Sequence, residues 1–240
     1  MPTVASVLDE AARKCRVTPP GNWVSSTTDT AYDFKDILAE TADELLERID
    51  WPNPINKDTV ISGTGAETYD LPSDFKRLTR DQFAVYETTT TRRVGIPVNS
   101  NGDWTHIKTV GIAGSDRYYR VTGDEESGFD ISFYREPAAG NSITVSYVSR
   151  NWLSVSGTGE STWTDVSAVL LLPKYLVIKG VVWRFRKAKG LPYLDTLNEY
   201  EADLSRRAND TRGIRKIGFG PKEPMSPLDI PVPNFIPPAS

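Results

Sequence analysis

Residues 43–62 read DELLERIDWPNPINKDTVIS, and the fold turns on a change of period inside them. Up to Ile49 the apolar residues recur every three or four positions. Phe34, Leu38, Leu45 and Ile49 form one stripe, widened by Ile37, Ala42 and Leu46, which predicts an amphipathic helix. Asp50-Trp51-Pro52-Asn53-Pro54 stops it, because proline lacks the N–H donor and clashes with the preceding turn. From Thr59-Val-Ile-Ser62 onward the period is two, the signature of a strand with one buried face.

Upstream, this helix is expected to start near Thr30, with Asp33 three residues on as a weak capping box. Before it, Val4, Leu8, Ala11 and Cys15 lie on one face of a shorter helix that Thr18-Pro-Pro-Gly-Asn22 ends. Downstream, short β-branched and aromatic runs alternate with turn residues: 59–62, 67–71, 83–87, 93–98, 117–123, 129–136 and 142–150. The spacing suits an antiparallel sheet or sandwich. A link containing Trp104 joins the fourth run to the fifth, with no helix of useful length expected between them. Ser154–Thr164 reads as an exposed loop.

Helical periodicity returns at Pro173. Leu171, Tyr175, Ile178, Val182 and Phe185 make its stripe, and Lys187-Ala-Lys-Gly190 supplies a basic last turn and a stop. Pro192 opens another helix, with Leu194, Leu197, Glu201, Leu204 and Ala208 in line. The expected class is α+β: a helical bundle with an inserted antiparallel β domain and an extended Pro-rich C-terminal arm. The expected boundaries are 1–55 with 164–212 for the bundle, 56–163 for the β domain and 213–240 for the arm.

The arm holds seven of the 17 prolines, yet it is not polar as a plain linker would be. Ile214, Ile217, Phe219, Ile230, Val232, Phe235 and Ile236 need a surface to dock on. In Ile230-Pro-Val-Pro233 the prolines alternate with residues that keep their N–H. Ile230 and Val232 could therefore pair with a sheet edge while Pro231 and Pro233 face away.

Composition removes most chemistry. One cysteine excludes an internal disulfide, and one histidine leaves little for zinc or general-base catalysis. His106 reads as a surface residue and Cys15 as an inert, buried thiol. No phosphate loop, dinucleotide fingerprint or zinc-protease motif occurs, so neither cofactor nor metal is expected. No run approaches a membrane span, and the first 15 residues lack the charge and apolar pattern of a secretory signal. With a net charge of −4, the chain as a whole is no electrostatic nucleic-acid binder. Two alternatives stay open: a cell-wall hydrolase built on paired carboxylates, and a glycan-binding β-sandwich using Trp104, Trp152 or Trp163 as stacking platforms.

Charge is unevenly spread. Residues 29–50 carry eight acids against Lys35 and Arg48, whereas 174–216 carry eleven bases against five acids. Two solvated helix faces would explain this. A sharper expectation is that Asp36, Glu40, Asp43 and Glu47 of one subunit approach Lys179, Arg184, Arg186 and Lys187 of its neighbour. Binding of nucleic acid by the basic cluster, including Lys189, is the weakest reading.

The order of segments resembles a known family. DELLERIDWPNP (43–54) is followed by YDLPSDFKRL (69–78), YYRVTG (118–123) and SYVSRNWL (146–153). The helix pair LPKYLVIKGVVWRFRKAKG (172–190) and PYLDTLNEYEADLSRR (192–207) closes the series. Across residues 28–216 the chain resembles the head-to-tail adaptor proteins of tailed bacteriophages, particularly the tail tubular protein A type of short-tailed phages. The resemblance implies a structural virion protein without catalysis, made in the host cytoplasm and assembled into the neck. It implies a homo-oligomeric ring, usually of twelve subunits, bound beneath the portal protein. The ring would offer its far side to a tail nozzle or tube protein, with tail fibres as a further candidate partner. Genome DNA would pass through its lumen without specific binding.

Overall fold

The computed structural model describes residues 1–81, 83–88, 93–111 and 114–212. It opens with α1 (Val4–Lys14) and α2 (Asp29–Arg48). Thr3 and Thr28 cap them, each hydroxyl accepting an N–H from three residues on at 3.3 Å. The true cap of α2 thus lies two residues before Thr30.

Then follow β1 (Asn56–Ser62), β2 (Thr68–Asp70), β3 (Phe75–Leu78), β4 (Val85–Glu87) and β5 (Gly95–Pro97). A helix the sequence reading missed, α3 (Asn101–Val110), interrupts the strands. Ser100 caps it, Gly111 at φ 73° ends it, and it buries only Trp104 and Ile107. After it come β6 (Arg117–Asp124), β7 (Gly128–Tyr134), β8 (Ser142–Ser149), β9 (Leu153–Val155), β10 (Thr158–Glu160) and β11 (Val169–Leu170). The chain closes its described part with α4 (Lys174–Ala188) and α5 (Leu194–Arg212).

Three sheets form. In the first, β8 pairs β1 along one edge and both β3 and β4 along the other, all antiparallel. The second runs β2-β7-β6-β5, antiparallel except for the parallel β5–β6 pair, so the β region is not uniformly antiparallel. The third is β10-β9-β11, and its β9–β10 hairpin occupies the stretch expected to be loop. Its turn is Ser156-Gly157, with φ 50° and 89°, the two left-handed residues of a tight hairpin. Ser and Gly mark such a turn as readily as a disordered loop, which is why composition misled.

Two main cores result. The first two sheets enclose Ile61, Phe75, Val85, Tyr119, Ile131, Phe133, Ile143, Val145 and Tyr147. Trp104 and Ile107 of α3 pack with Val98 against Tyr118 and Tyr134, forming a small satellite. The helices share the other core, in which α4 touches α1, α2 and α5. Being surrounded, α4 buries Leu176, Val177, Ile178, Val181, Val182 and Phe185, far more than the single stripe expected. Tyr175, placed on that stripe, is instead exposed, as is Leu194 of α5. The helical core also takes in Trp152 and Leu153 from the strand region.

The α2–α4 crossing is close at Gly180. A Cβ added there would sit 2.4 Å from Thr41 Cγ2. In an open helix Gly→Ala gains roughly 1 kcal/mol. Here we expect Gly180→Ala to cost about 1–3 kcal/mol through overpacking. Thr41→Ser added to it should recover most of that loss in urea unfolding, since it removes the obstructing methyl.

Candidate functional site

Acids of α2 meet bases of α4 within one chain, and α5 supplies acids to bases of both helices. Arg184, expected on a face offered to a neighbour, is buried: its guanidinium binds Glu44 and lies 3.2 Å from Glu40. Glu44 also accepts from Tyr200 Oη at 2.9 Å and from Arg48 at 2.8 Å. Arg48 in turn holds Glu201 in a two-pronged pair at 2.6 and 2.7 Å. Lys179 binds Asp203 and Lys189 binds Asp33. Arg186 donates to Thr196 Oγ1, and Lys187 is exposed with its ammonium over Trp183. Among the expected inter-subunit acids, Asp36, Glu40, Asp43 and Glu47 are all exposed. Asp43 and Glu47 both face Lys76 of β3.

The segment YDLPSDFKRL joins the two main cores, residue by residue. Asp74 accepts from Tyr147 and Ser149 hydroxyls and from Lys57. Phe75 enters the sheet core. Arg77 binds Asp50 at 2.7 Å and donates to the Leu46 and Ile49 carbonyls. Arg80 donates to the carbonyls of Glu47 and Arg48. The last carbonyls of a helix have no partner within it and carry its negative pole. Two arginines from the strand region therefore cap α2. Sequence reasoning quoted residues 69–78 but did not assign these roles; the signal was a run of charges, Asp74, Lys76 and Arg77, beside a core phenylalanine, with Arg80 two residues past the quoted stretch.

Burial alone would raise the pKa of Glu44, but hydrogen bonds from Arg184, Arg48 and Tyr200 outweigh it and hold the carboxyl below its usual range. Asp74 behaves alike: burial opposes ionisation, while Lys57, Ser149 and Tyr147 more than compensate. Both folded-state pKa values are depressed, so the stability they confer is present above the unfolded value of about 4 and lost as pH falls through the folded ones. We expect a nearly flat melting temperature from pH 7 to about 5 and a steep loss below about 4. Asp74→Asn should flatten part of that acid slope in thermal melts.

Beside this joint lies a cleft of about 1260 Å³. Its floor is the outer face of the first sheet, where Asp58 pairs with Ser146, and Tyr86 also lines it. One wall is the end of α2 with Asp50, Pro52 and Asn53, together with Arg207 and Asp210 of α5. Asp81, Phe83, Thr88 and Val94 complete the lining.

The remaining candidates fall into place. His106 is an exposed residue of α3. Cys15 is half-buried, and burial pushes its thiol up to about 11. Trp104 and Trp152 are buried, which removes two of the three proposed stacking platforms; Trp163 is half-buried and donates to the Asp165 carbonyl. No described group of three His, Cys, Asp or Glu side chains is placed to hold a metal. No described helix is long and apolar enough to cross a membrane. The portal-arm residues Ile214, Ile217, Phe219, Ile230, Val232, Phe235 and Ile236 lie outside the described residues.

No curated protein matches the chain. The family model of the SU10 adaptor protein matches residues 2–220, all the described elements included. With charges turned to structural joints and its match running from the first helix past the last, the chain belongs to the SU10 adaptor protein family, the structural head-to-tail adaptors of bacteriophage virions.

Proposed function

We propose that the protein forms a ring, of twelve subunits in the manner of the tail tubular protein A type, that joins the capsid portal to the tail and continues the DNA channel. The observation that carries this reading is the adaptor-family match across residues 2–220. A head-to-tail contact repeated about an axis closes into a ring when its rotation allows. In this reading 1–55 with 164–212 act as a helical bundle domain and 56–163 as the inserted β domain, facing the tail nozzle or tube. The exposed Asp36, Glu40, Asp43 and Glu47 would meet Lys187 and Arg186 of the next subunit. Exposed pairs are worth roughly 0–1 kcal/mol each, so they would set register more than affinity. Acids facing the lumen would let DNA pass without being gripped.

The arm, residues 213–240, would hold the ring to the portal through its apolar residues, with prolines limiting the entropy lost on ordering. The test is negative-stain imaging of the full chain mixed with purified portal. A ring with an open channel seated on the portal is expected; a protein that stays monomeric beside the portal would count against the reading. Truncation after Arg212 should leave both main cores folded while portal binding falls by at least about 100-fold, as losing a few buried anchors implies. Unchanged docking of the truncated chain would remove the arm's assignment.

A further inference from the structure

The cleft takes part of its lining from the last turns of α5. Arg207 and Asp210 line the cleft, and α5 ends at Arg212. The chain beyond is therefore tethered two residues past the last lining residue, and reach is no obstacle. The next ten residues, Gly-Ile-Arg-Lys-Ile-Gly-Phe-Gly-Pro-Lys222, carry three basic side chains and no acid. The family match covers the first eight of these, ending at Gly220.

The cleft is complementary to that segment in three respects. Asp58 and Asp81 are exposed there and form no described ion pair: Asp58 accepts the Ser146 hydroxyl, and Asp81 accepts the Phe83 N–H of its own turn. Lys57, a basic residue of the lining, is turned to Asp74. Phe83 stands 48% exposed on the cleft, an apolar ring with room against it. Finally, Asn56 Oδ1, on the cleft's lining, is shielded from solvent and has no donor among the described residues. A shielded acceptor without a partner costs free energy until an N–H reaches it.

We propose that residues 213–222 of the same chain occupy this cleft. Arg215 and Lys216 meet Asp58 and Asp81, an apolar side chain of the segment covers Phe83, and a donor of the segment satisfies Asn56. The inference stands apart from the ring reading, and under it Ile230, Val232, Phe235 and Ile236 are the arm residues left to reach the portal. It divides the tail into a fixed root, 213–222, and a remainder, 223–240, free to reach a partner.

Two measurements on the full chain test it without the portal. In the first, Asp81→Cys is combined with Ile217→Cys and the protein is mildly oxidised at pH 8, where the high pKa of Cys15 keeps that thiol protonated. An intrachain disulfide should form at least about tenfold faster than for the same cysteine pair carrying Asp58→Lys, a control of equal tether length in which the attraction is removed. Equal rates overturn the proposal. So does a disulfide linking two chains, which would make a second copy the occupant. In the second, trypsin cleavage after Arg215 and Lys216 should accelerate about tenfold when Asp58→Lys and Asp81→Lys remove the attraction, the fold-change that about 1.4 kcal/mol of seating confers. An unchanged rate overturns it.

Discussion

Phe34→Ala will lower the folding free energy by about 3–5 kcal/mol, the range for deleting a buried aromatic ring. Phe34 is fully buried. Its ring stacks on Phe185 of α4 with centroids 4.4 Å apart, and meets Trp23 edge-on at 5.4 Å. Trp23 is itself fixed by a hydrogen bond from Nε1 to Asp9 of α1. Three separate elements thus converge on one ring, and none can move inward without losing its other contacts, so the cavity stays open. For a chain of this length the loss should appear as a fall in melting temperature of roughly 10 °C. Phe34→Leu should lose less than half as much. A loss under about 1 kcal/mol for the alanine variant would mean that the site collapses and the ring is not the junction described.

Arg184→Met should cost about 3–5 kcal/mol, because it leaves partners of a buried charge behind. We place it near the lower end, since Arg48 and Tyr200 still bind Glu44 after the change. Arg184→Lys should recover only part, as a lysine cannot reproduce the fork that reaches Glu40 and Glu44 together. The decisive comparison is the double variant Arg184→Met with Glu44→Gln. If the cost comes from an orphaned carboxylate, the pair should lose less than the sum of the single changes. Strict additivity in urea unfolding would instead show that the methionine merely packs badly.

What the sequence disclosed depended on how local the determinant was. The switch inside 43–62 was plain because Pro52 and Pro54 forbid a helix whatever surrounds them. α2 and α4 were visible through their long apolar stripes. α3 was not, because ten residues with two buried side chains give a faint period beside strongly alternating neighbours. The hairpin at Ser156-Gly157 was masked by residues that serve turns and loops equally. The excess of acid in 29–50 and of base in 174–216 was correctly counted, but its partners were not readable. Arg184 reaches Glu44 across 140 positions, and Arg48 reaches Glu201 across 153. Pairings of that span depend on how helices cross, which no window of sequence contains. The same holds for Asp74, which needs β1 and β8 beside it, and for Arg77 and Arg80, whose roles exist only once the strands have brought them to the end of α2.

That cap on α2 has a mechanical consequence. Arg77 and Arg80 grip four successive carbonyls, those of Leu46, Glu47, Arg48 and Ile49, so a pull on the sheets enters the helix along its own axis. Bonds loaded side by side in that direction share the tension and break together, whereas bonds peeled one at a time fail in sequence at lower force. From α2 the strain passes sideways to α4 through the Glu44 and Phe34 junctions. Strand β8 runs beside this joint as a second tie, with Val145 in the sheet core and Val148 in the helical one, so load between the cores is shared by a covalent strand and a capped helix end.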